Sequence, residues 1–264
     1  MWWHETSWPT IDALPKDRPV VIPLGACEQH GRHLPVFVDT IQVTAIAEQV
    51  ERRLAEQVIV TPTFWLGSSH HHLDFPGTVS VRPTLYTQVI QDVARSILRA
   101  GFRRLFFLNG HGGNEVPGAQ ALADLVATDD LADAAHLTFA SWWQVGGQSL
   151  KADRHDMASP QITHACEYET SMMLFLRPDL VQQQLAQDVE LVLDKQWCVT
   201  GGVKVFRRFH RLTDTGNMGS PSTASSEKGQ SICNAVVDDI VAFLESFAGW
   251  PDLPAQGPVR QGGQ

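Results

Sequence analysis

The residues best suited to chemistry lie in short polar segments that directly follow apolar runs. Glu28 and His30 come after the run at residues 20–25, and His111 lies in the sequence NGHGGN after the run at residues 104–109. Asp39 follows His30 by nine residues. Carboxylates and imidazoles in such a mixture are ligands for Zn²⁺, Mn²⁺ or Fe²⁺, and the set lacks the thiolates of a structural zinc site.

Each of these features has a simpler interpretation when it is taken alone. Asp39 precedes a helical pattern and could be only a helix N-cap. The NGHGGN segment could be a tight turn with an incidental histidine, and it lacks the Lys-Ser/Thr ending of a phosphate loop. The hypothesis of a metal site therefore depends on the fold bringing these residues together.

A further acidic segment, HACEYETS, carries Glu167 and Glu169 before an apolar helical pattern. One of them could simply complement the dipole of that helix, while the other faces a ligand. With Glu169 included, the candidate ligands are enough for two ions that activate a water molecule, as in metal hydrolases. The full candidate set is Glu28, His30, Asp39, His111 and Glu169.

Three consecutive histidines, His70, His71 and His72, precede the sequence LDFPGT. Adjacent side chains point in different directions, so at most one or two of them can act at a single site. We expect His71 and His72 to contact substrate or to support the ligands. A plain surface run of histidines is the equal alternative.

The elements that must position these residues alternate along the chain. Apolar runs at residues 20–25, 58–62, 104–109 and 136–141 predict buried strands, and helical patterns cover 40–56, 85–100, 115–128 and 228–247. This alternation predicts a single α/β domain over residues 1–250, with a mostly parallel sheet flanked by helices and a frayed tail at 251–264. In such folds ligands bind at the carboxyl ends of the strands, where the polar segments fall.

Composition narrows the function further. The formal net charge of −9 disfavours a nucleic-acid partner. The four cysteines, Cys27, Cys166, Cys198 and Cys233, form no CxxC pair and predict neither a disulfide framework nor a cysteine-rich zinc site. The sequence shows neither a signal peptide nor a membrane-length apolar stretch, so we expect a cytoplasmic protein with a small-molecule substrate and no membrane partner.

Several segments together resemble the motifs of the creatininase (creatinine amidohydrolase) family. They occur in the family's order between about residues 20 and 230, and they are PLGACEQHGRHLPVFVDT, HHLDFPGTVSVRP, NGHGGN, HACEYETS and GNMGSPSTASSEKG. The resemblance implies a creatininase-like α/β domain, a centre of two divalent ions (Zn and/or Mn, with Fe possible), and a homo-oligomer, usually a hexamer.

The resemblance also implies roles for individual residues. Glu28 and His111 would bind one ion and His30 the other, with Asp39 bridging. Glu169 would add a ligand and take part in catalysis, with Glu167 as the fallback. A metal-bridged hydroxide would attack a carbonyl carbon, and His164 would protonate the departing nitrogen of an amide-type C–N bond.

The chain departs from the creatinine-cleaving enzyme at two places. Gly112 and Gly113 stand where that enzyme resembles NGHYEN, and no Trp-Asp pair precedes His164. Trp142 and Trp143 could line the substrate pocket instead, with a role in the core as the alternative. The alternatives to creatinine are a formamidopyrimidine, a precursor peptide, or an oxidised inositol or sugar ring, and a binding protein without turnover is disfavoured.

Overall fold

A computed structural model describes residues 1–189 and 206–253 of the chain. Its centre is a parallel sheet of β1 (Val20–Leu24), β2 (Ile59–Val60), β3 (Arg104–Asn109) and β4 (His136–Ser141), in the order β2-β1-β3-β4. Every residue of β1 and β3 is buried. Apolar runs of this kind form strands because the helices on both faces exclude water from them.

The helices lie in the connections and at both ends of the described chain. They are α1 (Trp8–Ala13), α2 (Val38–Arg53), α3 (Pro83–Arg99), α4 (Glu115–Thr128), α5 (Asp130–Asp133), α6 (Trp142–Gly146), α7 (Glu167–Leu176) and α8 (Ser226–Ala248). Local sequence explains several boundaries. Pro83 opens α3, whose end is followed by Gly101 at a φ of 99°, a backbone region that favours glycine.

Alternate residues of each strand face opposite layers of helices. Val21 and Phe106 pack into one cluster with apolar side chains of α2, α7 and α8. Their neighbours Val20 and Phe107 pack into a second cluster with α3 and α4. This period of two, with helices on both faces, confirms the predicted α/β architecture with a parallel sheet.

The predicted elements agree with the structure apart from their ends. Strands β3 and β4 match the predicted runs, whereas β2 is limited to Ile59–Val60. The last helix begins at Ser226, before the predicted residue 228, because the Ser225 hydroxyl accepts a hydrogen bond from the Lys228 N–H and caps it. Cys198 and residues 254–264 of the predicted tail lie outside the described residues.

The order of the strands creates a crevice. From β1 the chain crosses to β2 on one side, and from β3 it crosses to β4 on the other, so the connections diverge between β1 and β3. In parallel sheets ligands bind in the crevice at the carboxyl ends of two such neighbouring strands, whose connections run in opposite directions. None of the helices within residues 1–189 and 206–253 combines the length and the apolar composition of a membrane span.

Candidate metal centre

The loop after β1 brings Glu28 and His30 to the crevice. The Glu28 N–H donates to the Val36 carbonyl (2.8 Å), which folds the loop back toward the start of α2. The Thr40 hydroxyl donates to the carbonyl of Ala26 (2.8 Å) and holds the two segments together. As a result Asp39, the second residue of α2, lies buried beside both candidate ligands.

The turn after β3 presents His111 to the same crevice. The Asn109 amide donates to the carbonyl of His111 (2.7 Å), and its oxygen accepts from the His111 N–H (3.2 Å). Asn114 donates to the carbonyl of Gly25 (3.0 Å) and ties this turn to the loop after β1. Gly113 is required here, because any side chain at this position would collide with the Ser68 carbonyl and the His111 ring.

The start of α7 contributes Glu169. Its Oε2 accepts a hydrogen bond from the Ala165 N–H (2.5 Å), and Ala165 adopts a left-handed φ of 48°. Such a backbone conformation is costly for alanine and persists only where its surroundings enforce it. Here it turns the chain between His164 and α7 so that both His164 and Glu169 reach the crevice.

These segments assemble two ligand groups that share Asp39. His30 Nε2 lies 3.1 Å from Asp39 Oδ1 and 3.9 Å from Glu169 Oε2. His111 Nδ1 lies 2.9 Å from Asp39 Oδ2, and its Nε2 lies 3.4 Å from Glu28 Oε2. Both groups, Glu28–Asp39–His111 and His30–Asp39–Glu169, have ligand atoms close enough to hold one ion each.

The hydrogen bonding around these atoms fits metal ligands. The His30 Nδ1–H donates to the Glu28 carbonyl (2.9 Å), which directs Nε2 at the centre. Among the described residues, His30 Nε2, Glu28 Oε2 and Asp39 Oδ2 are buried without a hydrogen-bond partner. Buried polar atoms are rarely left without a hydrogen bond, so three of them within these two groups fit a role as cation ligands.

The charges of the site lead to the same interpretation. Burial tends to lower the pKa of His30 and His111, but the nearby carboxylates outweigh it and raise these values to about 10 and about 9. Burial raises the pKa of Glu28 and of Glu169 to about 7. Burial would also raise the pKa of Asp39, but His30 and His111 hold it below its usual range. The carboxylates thus stabilise positive charge at the centre, which protons or metal ions can provide.

Gln29 organises two more histidines beside the centre. Its side-chain amide donates to His72 Nδ1 (2.8 Å) and to the carbonyl of Gly216 (2.8 Å). His72 therefore carries its proton on Nε2, which lies 3.4 Å from Glu28 Oε1.

His164 donates through Nε2 to the backbone carbonyl of Gln29 (2.8 Å), so its Nδ1 faces Glu28 Oε1 at 3.4 Å. Burial and the positive charge of His30 lower the pKa of His164 and keep it neutral.

A cavity of about 300 Å³ opens onto these residues. Phe209 forms part of its wall, stacked on His72 with ring centres 4.0 Å apart. His71 and Trp143 line it as well. The structure therefore places His71, His72 and Trp143, of the residues expected to contact substrate, around the cavity.

Other predicted residues lie elsewhere. Trp142 is fully buried in the core under α8, so its placement argues against the expected contact with substrate.

Glu167, the fallback ligand, pairs with Lys228 (2.7 Å) and accepts from the N–H groups of Ala158 and Ser159, away from the centre. His70 is exposed and hydrogen-bonds Ser80.

Sequence reasoning missed Gln29, Phe209 and Glu115, which all contact or line the site. Gln29 stands between two candidate ligands, and this position was the available signal. Phe209 is remote in sequence and is surrounded by ordinary residues. Glu115 directly follows NGHGGN but resembles an acidic residue in the first turn of a helix, so the pattern alone gave no reason to select it.

The parallel α/β fold and this polar crevice define a class of enzyme with its site at the ends of the strands. The sequence profile of the creatininase family, described as creatinine amidohydrolase, matches residues 4–244. The chain belongs to the creatininase family, and it is accordingly a hydrolase of the amidohydrolase type.

Two relatives and one solved structure illustrate the relationship. The mycofactocin precursor peptide peptidase of Mycobacterium tuberculosis (strain CDC 1551 / Oshkosh) is 32% identical over 255 residues, covering 92% of this chain and 91% of the relative. The creatinine amidohydrolase of Pseudomonas putida is 30% identical over 257 residues, covering 92% and 96%. A solved creatininase structure described as its Mn form superposes with a TM-score of 0.78 at 28% identity, covering 93% of this chain and 98% of that one.

Proposed function

We propose that this protein hydrolyses an amide-type C–N bond with the help of two divalent cations, zinc or manganese. Glu28 and His111 would hold one cation, His30 and Glu169 the other, and Asp39 would offer one oxygen to each. The observation that carries this proposal is that the two groups sharing Asp39 contain three buried atoms without a hydrogen-bond partner among the described residues. The solved manganese form of a related protein supports it.

Bound cations of this kind polarise a carbonyl oxygen and lower the pKa of water. The chain itself handles the proton. His164 offers Nδ1 to the crevice because its Nε2–H is held by the Gln29 carbonyl. In this position it accepts a proton from the attacking water and returns it to the departing nitrogen. His72, held as its Nε2–H tautomer, donates toward Glu28 and fixes the orientation of that carboxylate.

Sequence identity favours neither the peptide nor the creatinine substrate class, since the peptidase and the creatinine amidohydrolase are almost equally identical to this chain. Both activities cleave an amide-type C–N bond, which is the level at which we propose the reaction. Gly112 lines the cavity, and a Cβ atom added there would meet no other atom within 4 Å. This space supports a substrate larger than creatinine, such as a peptide or a formamidopyrimidine. An oxidised inositol or sugar ring remains an alternative.

The cytoplasmic location and the homo-oligomer, a hexamer by resemblance, stay predictions. So do the absence of a nucleic-acid partner and that of a membrane partner. Size measurement of the purified protein by light scattering would test the oligomer directly.

The first experiment combines metal analysis with hydrolysis. The protein is loaded with Zn²⁺ or Mn²⁺, its metal content is measured, and it is incubated with creatinine, a formamidopyrimidine nucleotide, a short peptide and an oxidised inositol. About two ions per chain together with release of an amine or formate are expected. Absence of bound metal and of turnover after loading would contradict the proposal.

A further inference from the structure

One carboxylate in the catalytic cavity belongs to neither ligand group. Glu115 lines the cavity beside Gly112 and Trp143, whereas the other three lining carboxylates, Glu28, Asp39 and Glu169, are candidate ligands. Among the described residues that line the cavity there is no lysine or arginine. Glu115 therefore adds negative charge to the space that a substrate would occupy.

Hydrogen bonds hold the Glu115 side chain in place. Its Oε1 accepts from the Ser141 hydroxyl (2.8 Å) and from the Gln144 amide (3.2 Å). Both bonds end on the same oxygen, so Oε2 accepts no hydrogen bond from the described residues. Ser141 and Gln144 also form the capping box of α6, which fixes them against the end of β4.

An aromatic ring lies in the same wall of the cavity. Trp143 is half-buried there and packs edge-on against Trp142, with ring centres 5.2 Å apart at an angle of 85°. A carboxylate oxygen that is free to accept, together with an aromatic ring, is a combination that recognises ammonium groups.

A purely structural role for Glu115 would not need its charge. As the first residue of α4 it complements the helix dipole, which is worth only a few tenths to one kcal/mol at an exposed helix end. The two hydrogen bonds to Oε1 could be accepted equally well by a glutamine carbonyl. What glutamine could not supply is the negative charge on the oxygen that remains free.

We propose that Glu115 determines specificity, its carboxylate binding a positively charged ammonium group of the substrate beside the ring of Trp143. This inference rests on the proposed function. The scissile amide would lie at the candidate metal ligands, on the loops after β1 and β3. The ammonium group of the same substrate would then reach Glu115, near the end of β4. The substrate class is therefore an amide that carries an amine a few atoms from its carbonyl.

The test compares amides that differ only in this group. The zinc- or manganese-loaded protein is titrated by calorimetry at pH 7.5 with 4-aminobutanamide and 4-hydroxybutanamide, and then with 6-aminohexanamide and 6-hydroxyhexanamide. Hydrolysis of each is followed by release of ammonia. For at least one chain length we expect the amino compound to bind about tenfold more tightly, as one charge-assisted hydrogen bond allows.

Two variants make the test specific. Glu115→Gln should bring the ratio of the two dissociation constants close to one, with metal content and thermal unfolding measured to establish that the protein is intact. Glu227→Gln is the matched control, since Glu227 is an exposed acid in the first turn of α8 and does not line the cavity. This control should retain the native ratio, which separates a local effect from the net negative charge of the protein.

The two proposals fail in different ways. A native ratio near one at both chain lengths, or a ratio that survives in Glu115→Gln, would overturn the role of Glu115 even if the amides are hydrolysed. A tenfold ratio that Glu115→Gln removes, without hydrolysis of any amide, would support the ammonium site while counting against the proposed reaction.

Discussion

Two buried polar clusters meet at the start of α7, and they differ in how many of their polar atoms have hydrogen-bond partners. Glu167 pairs with Lys228 and accepts from the N–H groups of Ala158 and Ser159. Two residues later, Glu169 belongs to a centre where His30 Nε2 and Asp39 Oδ2 have ion-pair neighbours but, among the described residues, no hydrogen-bond partner. Hydrogen bonds that satisfy a buried cluster stabilise the fold, whereas buried polar atoms without them are explained by strain, by a catalytic role or by a bound water or ion.

The hydrogen bonds to the histidines sharpen this contrast. At the centre, the backbone carbonyls of Glu28 and Gln29 engage the outer nitrogens of His30 and His164, so that the inner nitrogens stay available. Around Glu167 there is no such asymmetry, because donors from three directions surround the carboxylate. The structure thus separates an acid held by a lysine and two N–H groups, Glu167, from a candidate ligand, Glu169, which sequence alone presents as a pair.

The largest effect is expected from Asp39→Ala, since Asp39 faces both candidate ion positions. We expect loss of both cations and a fall in activity of at least about a thousandfold, because two-ion chemistry needs both. Metal analysis and steady-state kinetics measure the two quantities. Full activity in this variant would disprove the shared-ligand arrangement.

His164→Ala should separate proton transfer from metal binding. We expect kcat to fall about 10²- to 10⁴-fold, the usual contribution of a positioned acid–base group, while the metal content stays near the native value. A variant that loses its metal together with its activity would instead identify His164 as a ligand.

Proton competition provides a test of the charges at the centre. With pKa values raised to about 10 and about 9, His30 and His111 are protonated at neutral pH in the metal-free protein and must lose those protons to bind a cation. Metal affinity should therefore rise with pH by at least about tenfold per unit, and it should continue to rise from pH 7 to 9. Histidines with an ordinary pKa of about 6.5 would give a plateau above about pH 7.5. Competition titrations with a chelator at several pH values distinguish the two outcomes.

The smallest effect on catalysis is expected from Lys228→Met, which disrupts the satisfied cluster. Removing the partner of the buried Glu167 should cost roughly 3 kcal/mol of unfolding free energy. Denaturant unfolding measures this loss. Metal content and kcat of the folded protein should stay within about twofold of native, and a large loss of metal would show that the two clusters are not independent.

Most of the fold could be predicted from the amino-acid sequence. Strands β3 and β4 and the helices of the two flanking layers follow directly from apolar periodicity, because burial on a sheet or a helix face imposes that period. The predicted elements differ from the structure at their ends, and the short helices α1, α5 and α6 were not predicted. The run at 58–62 forms only the short strand β2, and the cap of α8 by Ser225 was not anticipated.

For the candidate site, the amino-acid sequence by itself determined which residue types could hold cations and that they follow the strands. It also identified the family through motifs spread over the chain. The ligand roles given to Glu28, His30, Asp39, His111 and Glu169 stay predictions until metal is measured. Their local spacing was compatible with caps and turns as well as with ligands.

Only the tertiary structure decided which of the neighbouring candidates face the cavity. It turned Glu169 toward His30 and Glu167 toward Lys228, and it buried Trp142 while leaving Trp143 in the cavity wall. It also brought Phe209 onto His72, across a long separation in sequence. The physical reason is that the direction of a side chain depends on the backbone turn before it and on the partners it meets across the fold, and neither is encoded in local composition or periodicity.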